Sequence, residues 1–229
     1  MKHAIIFANG RMEKSPALTS EIQTSSFVVA ADGGIHNCKS LGIQPNIIIG
    51  DLDSISSAEI TTYRDTGVEV IRYPTHKDET DLELALQYIL KHDVSEVIII
   101  GGLGARWDMT LTNILLLAHP MFAGLKIRLL DGDQELVLLQ TGVPSVMHGQ
   151  PGDNISLIPL AGDVSGVITE GLEYPLKNET LKFGSSRGVS NVFIQEQAQV
   201  IYREGILLCI LNRMVNLSTL PKKESNREE

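Results

Sequence analysis

One segment of the 229-residue chain decides its fold class: residues Val68 to Ile100 have the sequence VEVIRYPTHKDETDLELALQYILKHDVSEVIII. The segment begins with a short run of apolar, mostly β-branched residues, Val68–Ile71, and ends with another, Val97–Ile100. Between the two runs, apolar residues recur at the spacing of an amphipathic helix. These residues are Leu82, Ala85, Leu86, Ile89 and Leu90. A strand, a helix and a second strand in this order predict one unit of an open α/β sheet.

The start of this helix is marked by Thr80-Asp81-Leu82-Glu83, which has the pattern of a capping box. A second helical stripe, from Leu111 to Ala118, ends before Pro120. Further apolar runs, nearly free of polar residues, are typical of strands buried on both faces of a parallel sheet. They are Ala4–Phe7, Phe27–Ala31, Ile47–Ile49 and Ile127–Leu130. We therefore expect residues 1–133 to form an open, mostly parallel sheet with flanking helices.

After about residue 135 the helical periodicity disappears, and short apolar runs are separated by Gly, Pro, Asp and Asn. The candidate strands are Glu135–Leu139, Asn154–Leu160, Val164–Thr169, Asn191–Gln195, Ala198–Tyr202 and Ile206–Leu211. Arg203-Glu204-Gly205 has the composition of a hairpin turn between the last two. We predict an antiparallel β-sandwich over residues 134–217, in close contact with the first domain, and a disordered, charged tail over residues 218–229.

Composition narrows the classes of partner. The formal net charge of −9 and the pI of about 5.2 argue against nucleic acid or an anionic membrane surface as a partner. Cys38 and Cys209 lie far apart and lack metal-ligand spacing, so free buried thiols in a reducing compartment are expected. No stretch approaches the roughly 20 apolar residues that a spanning helix needs. These features favour the cytoplasm.

Two acidic segments follow predicted strands, where ligands of open α/β sheets bind. Asp51 and Asp53 come directly after Ile47–Ile49, and Asp78 and Asp81 follow Val68–Ile71 after a short run. Carboxylates this close repel each other unless a cation or donors compensate, and Mg²⁺ is usually held by carboxylates and substrate phosphates. The four aspartates therefore predict a magnesium site that binds a nucleotide. The Asp-x-Asp pattern alone also occurs in phosphatases of the haloacid-dehalogenase type and in metal-dependent glycosyltransferases.

Other strand ends supply candidate nucleotide contacts, each with a structural alternative. Gly33 and Gly34 either let backbone N–H groups approach a phosphate or only form the turn into a helix. Asp32 either orients a ribose or caps that helix. Lys77 either reaches a phosphate or balances the acidic cluster.

In the loop before the second predicted helix, Gly102 lets the backbone pack tightly against a ligand. Arg106 either grips phosphate oxygens in a planar fork or forms a structural salt bridge with one of the aspartates. Asp108 is a candidate helix N-cap. Trp107, the single tryptophan, is expected to pack in the core or at its rim.

Taken in order, these motifs resemble the thiamine pyrophosphokinase family. The resemblance rests on Asp32-Gly33-Gly34, Gly50-Asp51-Leu52-Asp53-Ser54, Asp78-x-Thr80-Asp81, Gly104-x-Arg106-x-Asp108 and Ser185-Ser186-Arg187-Gly188-Val189-Ser190-Asn191. It extends from about residue 3 to residue 211. No single motif is specific, but the ordered set is.

The resemblance implies an α/β domain, a β-sandwich and a homodimer with active sites between subunits. It implies transfer of pyrophosphate from ATP to the thiamine hydroxyl, giving thiamine diphosphate and AMP. Under that analogy, Asp51, Asp53, Asp78 and Asp81 hold Mg²⁺, and one of them accepts the hydroxyl proton. Residues expected to contact ATP are Asp32, Gly33, Gly34, Lys77, Thr80, Gly102 and Arg106, and those expected to contact thiamine are Asp108, Ser190 and Asn191.

Three departures from the family pattern concern the acceptor side. Met109 stands where the family often has histidine, Val189 where a small polar residue is expected, and Val192 where an acidic residue often follows. A related transferase with another alcohol acceptor therefore stays open, as does a nucleotide- or thiamine-binding module without catalysis. A dehalogenase-type phosphatase is less consistent, because its Asp-x-Asp normally follows the first strand rather than the third.

Overall fold

The computed structural model describes residues 3–104 and 106–214. The first half contains strands β1 (His3–Phe7), β2 (Phe27–Ala31), β3 (Ile47–Gly50), β4 (Glu69–Arg72), β5 (Glu96–Ile100) and β6 (Lys126–Asp131). The helices between them are α1 (Pro16–Thr24), α2 (Gly34–Ser40), α3 (Ser57–Asp65), α4 (Asp81–Ile89) and α5 (Trp107–Leu116), followed by a short 3₁₀ helix at Pro120–Phe122. The second half contains β7 (Gln134–Leu138), β8 (Ser145–His148), β9 (Asn154–Pro159), β10 (Val164–Glu170), β11 (Lys177–Leu181), β12 (Asn191–Val192), β13 (Gln197–Ile201) and β14 (Leu207–Asn212).

The first six strands form a parallel sheet in the order β6-β5-β1-β2-β3-β4. Alternate residues of β1 face opposite cores: Ile6 packs with α4, whereas Ile5 packs with residues of α1 and α2. Helices therefore cover both faces, which explains why these strands are apolar on both sides. The predicted α/β sheet is confirmed.

The predicted start of α4 is confirmed in part. Oγ1 of Thr80 accepts a hydrogen bond from the Glu83 amide at 3.2 Å, as an N-cap should. In place of the reciprocal bond of a capping box, the Glu83 carboxylate accepts from Nε2 of Gln87 at 3.4 Å.

The same sheet continues into the second half of the chain. Strands β7, β14, β9 and β12 extend it antiparallel beyond β6, giving ten strands in the order β12-β9-β14-β7-β6-β5-β1-β2-β3-β4. A separate antiparallel sheet, β11-β10-β13-β8, packs its buried residues with those of β7, β9 and β14. The predicted antiparallel sandwich is therefore present, and one of its layers is the extension of the first sheet.

The prediction of a hairpin at Arg203-Glu204-Gly205 is wrong. Strands β13 and β14 belong to different sheets, so the segment crosses from one layer of the sandwich to the other. Gly205 has φ +107°, and a Cβ there would lie 2.7 Å from the carbonyl oxygen of Asp163. Glycine is needed here because the backbone comes close to Asp163. A hairpin turn also favours glycine, so composition alone could not distinguish a hairpin from a crossing between sheets.

The predicted domain boundary, between residues 133 and 134, falls in the turn that joins the paired strands β6 and β7. The division into domains stays a prediction, and the expected tail lies outside the described residues. Both cysteines are buried and unpaired, and burial raises the pKa of the Cys38 thiol to about 12, which suits a packing side chain. Within the described ranges, none of the helices has the length and apolarity that a membrane crossing requires.

An ion network, here called the Arg128 network, lies on the sheet face between the core under α1 and the core of the sandwich. Arg128 contacts Glu21 and Glu96 at 2.7 Å and Glu135 at 3.2 Å. Arg213 adds a 2.8 Å contact to Glu135, and Lys126 adds a 3.2 Å contact to Glu96. The Arg128 side chain is only 14% exposed, so each of the three carboxylates neutralises charge that would otherwise be costly to bury.

Candidate active site

Three aspartates meet at the carboxyl edge of the sheet. Asp32 ends β2, and Asp51 and Asp53 follow the neighbouring strand β3. One carboxylate oxygen of each lies within 4.8 Å of the others. Leu52, between the two loop aspartates, has φ +63° and is 2% exposed, so its side chain anchors the loop. The amide of Asp53 donates to Oδ1 of Asp51 at 3.2 Å, which fixes the turn.

Asp32 shows that this group suits a cation. Its Oδ2 accepts a hydrogen bond from Oγ of Ser54 at 2.7 Å. Its Oδ1 is buried and has no hydrogen-bond partner among the described residues. A buried, unpartnered carboxylate oxygen is costly unless a cation or a donor reaches it. Three carboxylates around one point are the oxygen ligands that Mg²⁺ prefers, so the residues present fit that ion.

Asp81 lies behind this group and binds Lys77. The Lys77 Nζ lies 2.8 Å from Oδ1 of Asp81, and a Cβ on Gly50 would lie 3.2 Å from the same oxygen. Burial is the main reason that the pKa of the Asp81 carboxyl is raised above its ordinary value. Lys77 opposes this shift, whereas the charge of Asp32 adds to it. Lys77 thus offsets the charge of Asp81, one of its two predicted roles, and its contact with a phosphate stays a prediction.

The structure differs from the predicted ligand set in three positions, and the first is Asp81, which pairs with Lys77 and is not one of the three close carboxylates. Asp78 is exposed and does not belong to the group of three close carboxylates. Asp32, which the sequence suggested for a ribose or a helix cap, does belong to it. The sequence contained a usable signal, because Asp32 and Asp51 end consecutive strands and the carboxyl ends of neighbouring parallel strands lie side by side.

Packing accounts for the glycines at this edge. A Cβ on Gly34 would lie 1.9 Å from the carbonyl oxygen of Phe7, and one on Gly33 would lie 2.3 Å from side-chain atoms of Asn9. A Cβ on Gly102 would lie 2.8 Å from a methyl group of Leu129. Close packing against backbone therefore requires glycine at Gly34, and at Gly33 and Gly102 a side chain would displace a neighbouring side chain, whether or not a ligand binds there.

Arg106 and Asp108 form an exposed ion pair at the start of α5. Nε of Arg106 donates to Oδ1 of Asp108 at 3.2 Å, and a second bond joins a terminal nitrogen to the other oxygen. The pair raises the pKa of the Arg106 guanidinium and lowers the pKa of Asp108. Asp108 lies in the first turn of α5, and the N-cap position is Arg106, so the predicted capping role of Asp108 is wrong.

Trp107 is also placed differently from the prediction. Its side chain is 85% exposed, so the expectation that it packs in the core or at its rim is wrong. It occupies the first position of α5, and Leu111 and Leu115 lie one and two turns further along with 58% and 46% exposure. An apolar spacing on a helix does not say which face meets the core, which is why the sequence misplaced this residue.

The predicted acceptor residues, Ser190 and Asn191, lie at the other edge of the ten-stranded sheet. Asn191 is 5% exposed, and its side chain is bonded to the backbone of Tyr174: Nδ2 donates to the carbonyl oxygen at 2.7 Å, and Oδ1 accepts from the amide at 3.0 Å. Ser190 is exposed, with φ +57°, and its amide donates to Oγ of Ser156 at 3.0 Å. Both residues line a cleft of about 390 Å³ formed with Tyr174 and Leu176.

The sheet order separates this cleft from the aspartates. Asn191 lies on β12, and β3 is eight positions away along the sheet. At about 4.8 Å per strand, the separation is roughly 38 Å along a flat sheet. Within one chain, the acceptor residues and the acidic residues do not meet.

Two residues that the sequence reasoning did not consider lie near the aspartates. His36 on α2 has Nε2 3.3 Å from the carbonyl oxygen of Ser54. Arg72, the last residue of β4, donates from Nε to the carbonyl oxygen of Asp51 at 3.2 Å. Arg72 directly follows a predicted strand, which could have pointed to the site. A single arginine before Tyr73-Pro74 matches no known motif, so it was not selected.

Comparison with known proteins identifies the family. The family model "Thiamin pyrophosphokinase, catalytic domain" matches residues 18–129, and "Thiamin pyrophosphokinase, vitamin B1 binding domain" matches residues 145–207. A curated thiamine pyrophosphokinase of Bacillus subtilis (strain 168) is 30% identical over 210 residues, covering 92% of this chain and 98% of that protein.

Solved structures agree with this relationship. The crystal structure of thiamine pyrophosphokinase from Bacillus subtilis has a TM-score of 0.82 and 29% identity, and the match covers 93% of this chain and 100% of that one. A thiamin pyrophosphokinase family protein from Enterococcus faecalis has a TM-score of 0.80 and 25% identity, with coverage of 93% and 100%. The resemblance predicted from the ordered motifs is confirmed: the chain belongs to the thiamine pyrophosphokinase family.

Proposed function

We propose that this chain catalyses the reaction of its family, transferring pyrophosphate from ATP to the hydroxyl group of thiamine to give thiamine diphosphate and AMP. The observation that supports this proposal most directly is the meeting of Asp32, Asp51 and Asp53 at the carboxyl edge of the sheet. The unpartnered oxygen of Asp32 calls for a cation there, and a polyphosphate brings one.

In the proposed mechanism, Asp32, Asp51 and Asp53 would hold Mg²⁺ where the phosphates of ATP bind. In this proposal Asp81 and Asp78 add negative charge next to the three close carboxylates, Asp81 from a partly buried position and Asp78 from an exposed one. When bound, the metal offsets negative charge on the transferred group and on the departing AMP. Gly33, Gly34 and Thr80 shape the nucleotide pocket through the backbone, and Gly102 does the same across the sheet.

The thiamine hydroxyl oxygen forms a bond to the β-phosphorus of ATP as the bond between that phosphorus and the oxygen of the α-phosphate breaks. The hydroxyl proton passes to a carboxylate of the acidic loops, and AMP leaves with the electron pair of the broken bond. Arg106 holds oxygens of the transferred group, which requires it to exchange Asp108 for phosphate. Because the pair is exposed, that exchange costs little.

The proposal includes a homodimer in which the Ser190–Asn191 cleft of one subunit faces the aspartates of the other. It is supported by the eight strand spacings, roughly 38 Å along a flat sheet, that separate the cleft from the aspartates within one chain. A two-fold interface would complete two equivalent sites at once. Asp108, on the side of the aspartates, would then approach thiamine from the opposite direction.

The dimer can be tested by complementation. Asp53→Ala removes a carboxylate from one side of the site, and Ser190→Tyr blocks the cleft on the other side. Each variant alone is expected to be inactive. Equal amounts mixed through partial unfolding should recover about a quarter of the wild-type activity, because half of the dimers then carry one intact site of two. No recovery, with dimers shown by sedimentation, would contradict a shared site.

We place the reaction in the cytoplasm, in keeping with the two free thiols and the acidic composition. Neither nucleic acid nor a membrane is a partner in this proposal.

The experiment that tests the proposed function is a product assay with purified protein, ATP, Mg²⁺ and thiamine, in which AMP and thiamine diphosphate are separated by chromatography. Equal formation of both products, abolished by EDTA, is expected. Nucleotide binding without any turnover would instead indicate a binding module.

A second candidate function is the same transfer to a different alcohol. It is favoured by Val189, which is 44% exposed and lines the cleft beside Ser190 and Asn191, so that this part of the cleft is apolar. Met109 and Val192 likewise place apolar side chains where the family pattern has polar or charged ones. The assay separates the two candidates, because AMP would then form with another alcohol and not with thiamine.

A further inference from the structure

Arg72 occupies a distinct place at the acidic edge of the sheet. It pairs in register with Gly50 of β3, and the next amide, that of Tyr73, donates to the carbonyl oxygen of Gly50 at 2.8 Å. The Arg72 side chain then reaches the loop that follows, where Nε donates to the carbonyl oxygen of Asp51 at 3.2 Å. The guanidinium is thus fixed to the backbone that carries Asp51 and Asp53.

The contact with the carbonyl oxygen leaves most of the guanidinium available. Nε supplies one of the five N–H donors of an arginine, and the other four are on the two terminal nitrogens. Arg72 is exposed and forms no ion pair with any carboxylate in residues 3–104 and 106–214, although Asp51 is its direct neighbour. Because Arg72 contacts a backbone oxygen and not the carboxylates, its two terminal nitrogens are available to bind another anion.

The other two cations proposed for this site are already engaged. Lys77 lies 2.8 Å from the Asp81 carboxylate, and Arg106 is paired with Asp108 through both oxygens. The chain carries a net charge of −9, so a polyphosphate that approaches three aspartates needs local positive charge as well as a metal. Arg72 is placed to supply it without first breaking an ion pair.

We propose that Arg72 binds the β- and γ-phosphates of the nucleotide through its terminal nitrogens. A planar guanidinium donates two parallel hydrogen bonds to phosphate oxygens, which a lysine cannot do. The contact positions the transferred group relative to the loop of Asp51 and Asp53, because one side chain touches both. This inference rests on the proposed function for the identity of the nucleotide, and it adds a residue that no motif of the sequence indicated.

The test is direct binding of a non-hydrolysable ATP analogue with Mg²⁺, measured by calorimetry on the full-length protein. Arg72→Ala is expected to weaken binding about tenfold or more, since hydrogen bonds to charged groups are among the stronger ones. Arg72→Lys should recover only part of the loss. Affinity for AMP should change less than twofold, because AMP lacks the β- and γ-phosphates, and the tenfold difference should shrink at high salt.

Arg64→Ala is the matched control. Arg64 is an exposed arginine in the last turn of α3, and its removal makes the net charge more negative by the same one unit as the removal of Arg72. Wild-type affinity in this control is expected. Thermal unfolding of all variants checks that each one folds.

Several results would overturn the inference. Folded Arg72→Ala with wild-type affinity for the analogue would do so, and so would an equal loss of affinity for AMP or an equal loss in Arg64→Ala. The proposed function fails separately, if wild-type protein binds the analogue with the predicted dependence on Arg72 yet forms no thiamine diphosphate.

Discussion

Two groups of three carboxylates lie beside the same ten-stranded sheet, and they differ in the cations that contact them. The glutamates of the Arg128 network are bound by Arg128 and Arg213 at distances of 2.7 to 3.2 Å. The aspartates at the carboxyl edge have no such partner within the described residues, and one oxygen of Asp32 is buried without a hydrogen bond. Arg72 contacts the carbonyl oxygen of Asp51 and forms no ion pair with a carboxylate in the described ranges.

The pKa shifts follow the same division. In the Arg128 network, the pKa of Glu96 and that of Glu135 are lowered: burial raises each, but Arg128 and Lys126 outweigh it at Glu96, and Arg213 and Arg128 outweigh it at Glu135. Beside the aspartates, burial raises the pKa of Asp81 and the attraction of Lys77 does not cancel it. One group is complete without a ligand and stabilises the fold, whereas the other is completed by a ligand. The positions of the two groups agree with this division, because only the group of aspartates lies at the carboxyl edge, where ligands of α/β sheets bind.

The largest expected effect comes from removing a carboxylate of the incomplete group. Asp53→Ala should lower the turnover of thiamine and ATP by a hundred- to a thousandfold, about the loss seen when a group that stabilises transition-state charge is deleted. The melting temperature should change little, because a carboxylate that repels its neighbours is removed. Steady-state kinetics and thermal unfolding measure both. Asp93→Ala, at an exposed loop position, is the control, and turnover at the wild-type rate in Asp53→Ala would exclude Asp53 from the site.

The next effect comes from breaking the complete group. Arg128→Met should lower the free energy of unfolding by about 3 kcal/mol, because three carboxylates then lose their shared cation. This corresponds to a fall in melting temperature of roughly 6–12 °C for a chain of this size. Lys39→Met breaks the exposed pair with Glu59 and should cost far less, because solvent screens an exposed ion pair. Similar losses in both variants would contradict the special status of the Arg128 network.

A smaller effect is expected at the exposed pair of α5. Arg106→Ala should lower kcat about tenfold and change the KM for thiamine less than twofold, if Arg106 acts on the transferred phosphates. Stability should not change measurably, since the Arg106 side chain is 71% exposed. A loss confined to the KM for thiamine would assign Arg106 to the acceptor instead.

The smallest effect is a pH dependence of the Arg128→Met penalty. The pKa of Glu96 and of Glu135 is lowered from 4.5 in the folded protein, so their contribution to stability is fully present above about pH 4.5 and is lost as pH falls through the lowered values. The difference in unfolding free energy between wild type and Arg128→Met should therefore narrow by about 1 kcal/mol from about pH 7 to about pH 4. Urea titrations at several pH values measure it, and a difference that widened in acid would have the wrong sign for this mechanism.

The parallel half of the sheet could be predicted from the sequence because burial on both faces leaves nearly continuous apolar runs, as in Ile47–Ile49 and Val97–Ile100. The strand β11, Lys177–Leu181, was missed for the opposite reason. It is an edge strand, four of its five residues are at least partly exposed, and so it lacks an apolar signal. The layer change at Arg203–Gly205 was missed because a tight turn has the same composition whether or not its two strands pair.

At the candidate site, the sequence indicated the loop of Asp51 and Asp53 because charged residues directly after a buried strand need a reason. It did not place Asp32 with them, since that requires the register of β2 against β3. It could not anticipate that Asn191 is fully bonded to the backbone of Tyr174, and it left open whether Arg106 binds phosphate or an aspartate, of which the structure shows the pair with Asp108. Such contacts depend on tertiary packing and not on spacing along the chain.

The place of β14 in the sheet has a consequence for synthesis of the chain. Leu207–Asn212 lies between β7 and β9, so until residue 212 has left the ribosome, β9 lacks its main hydrogen-bonded neighbour and β7 pairs only with β6. The parallel strands have all been made by residue 131, and domains generally fold as units during translation. The nascent protein therefore passes through a stage with two exposed strand edges, open to wrong pairing, until β14 is added between them.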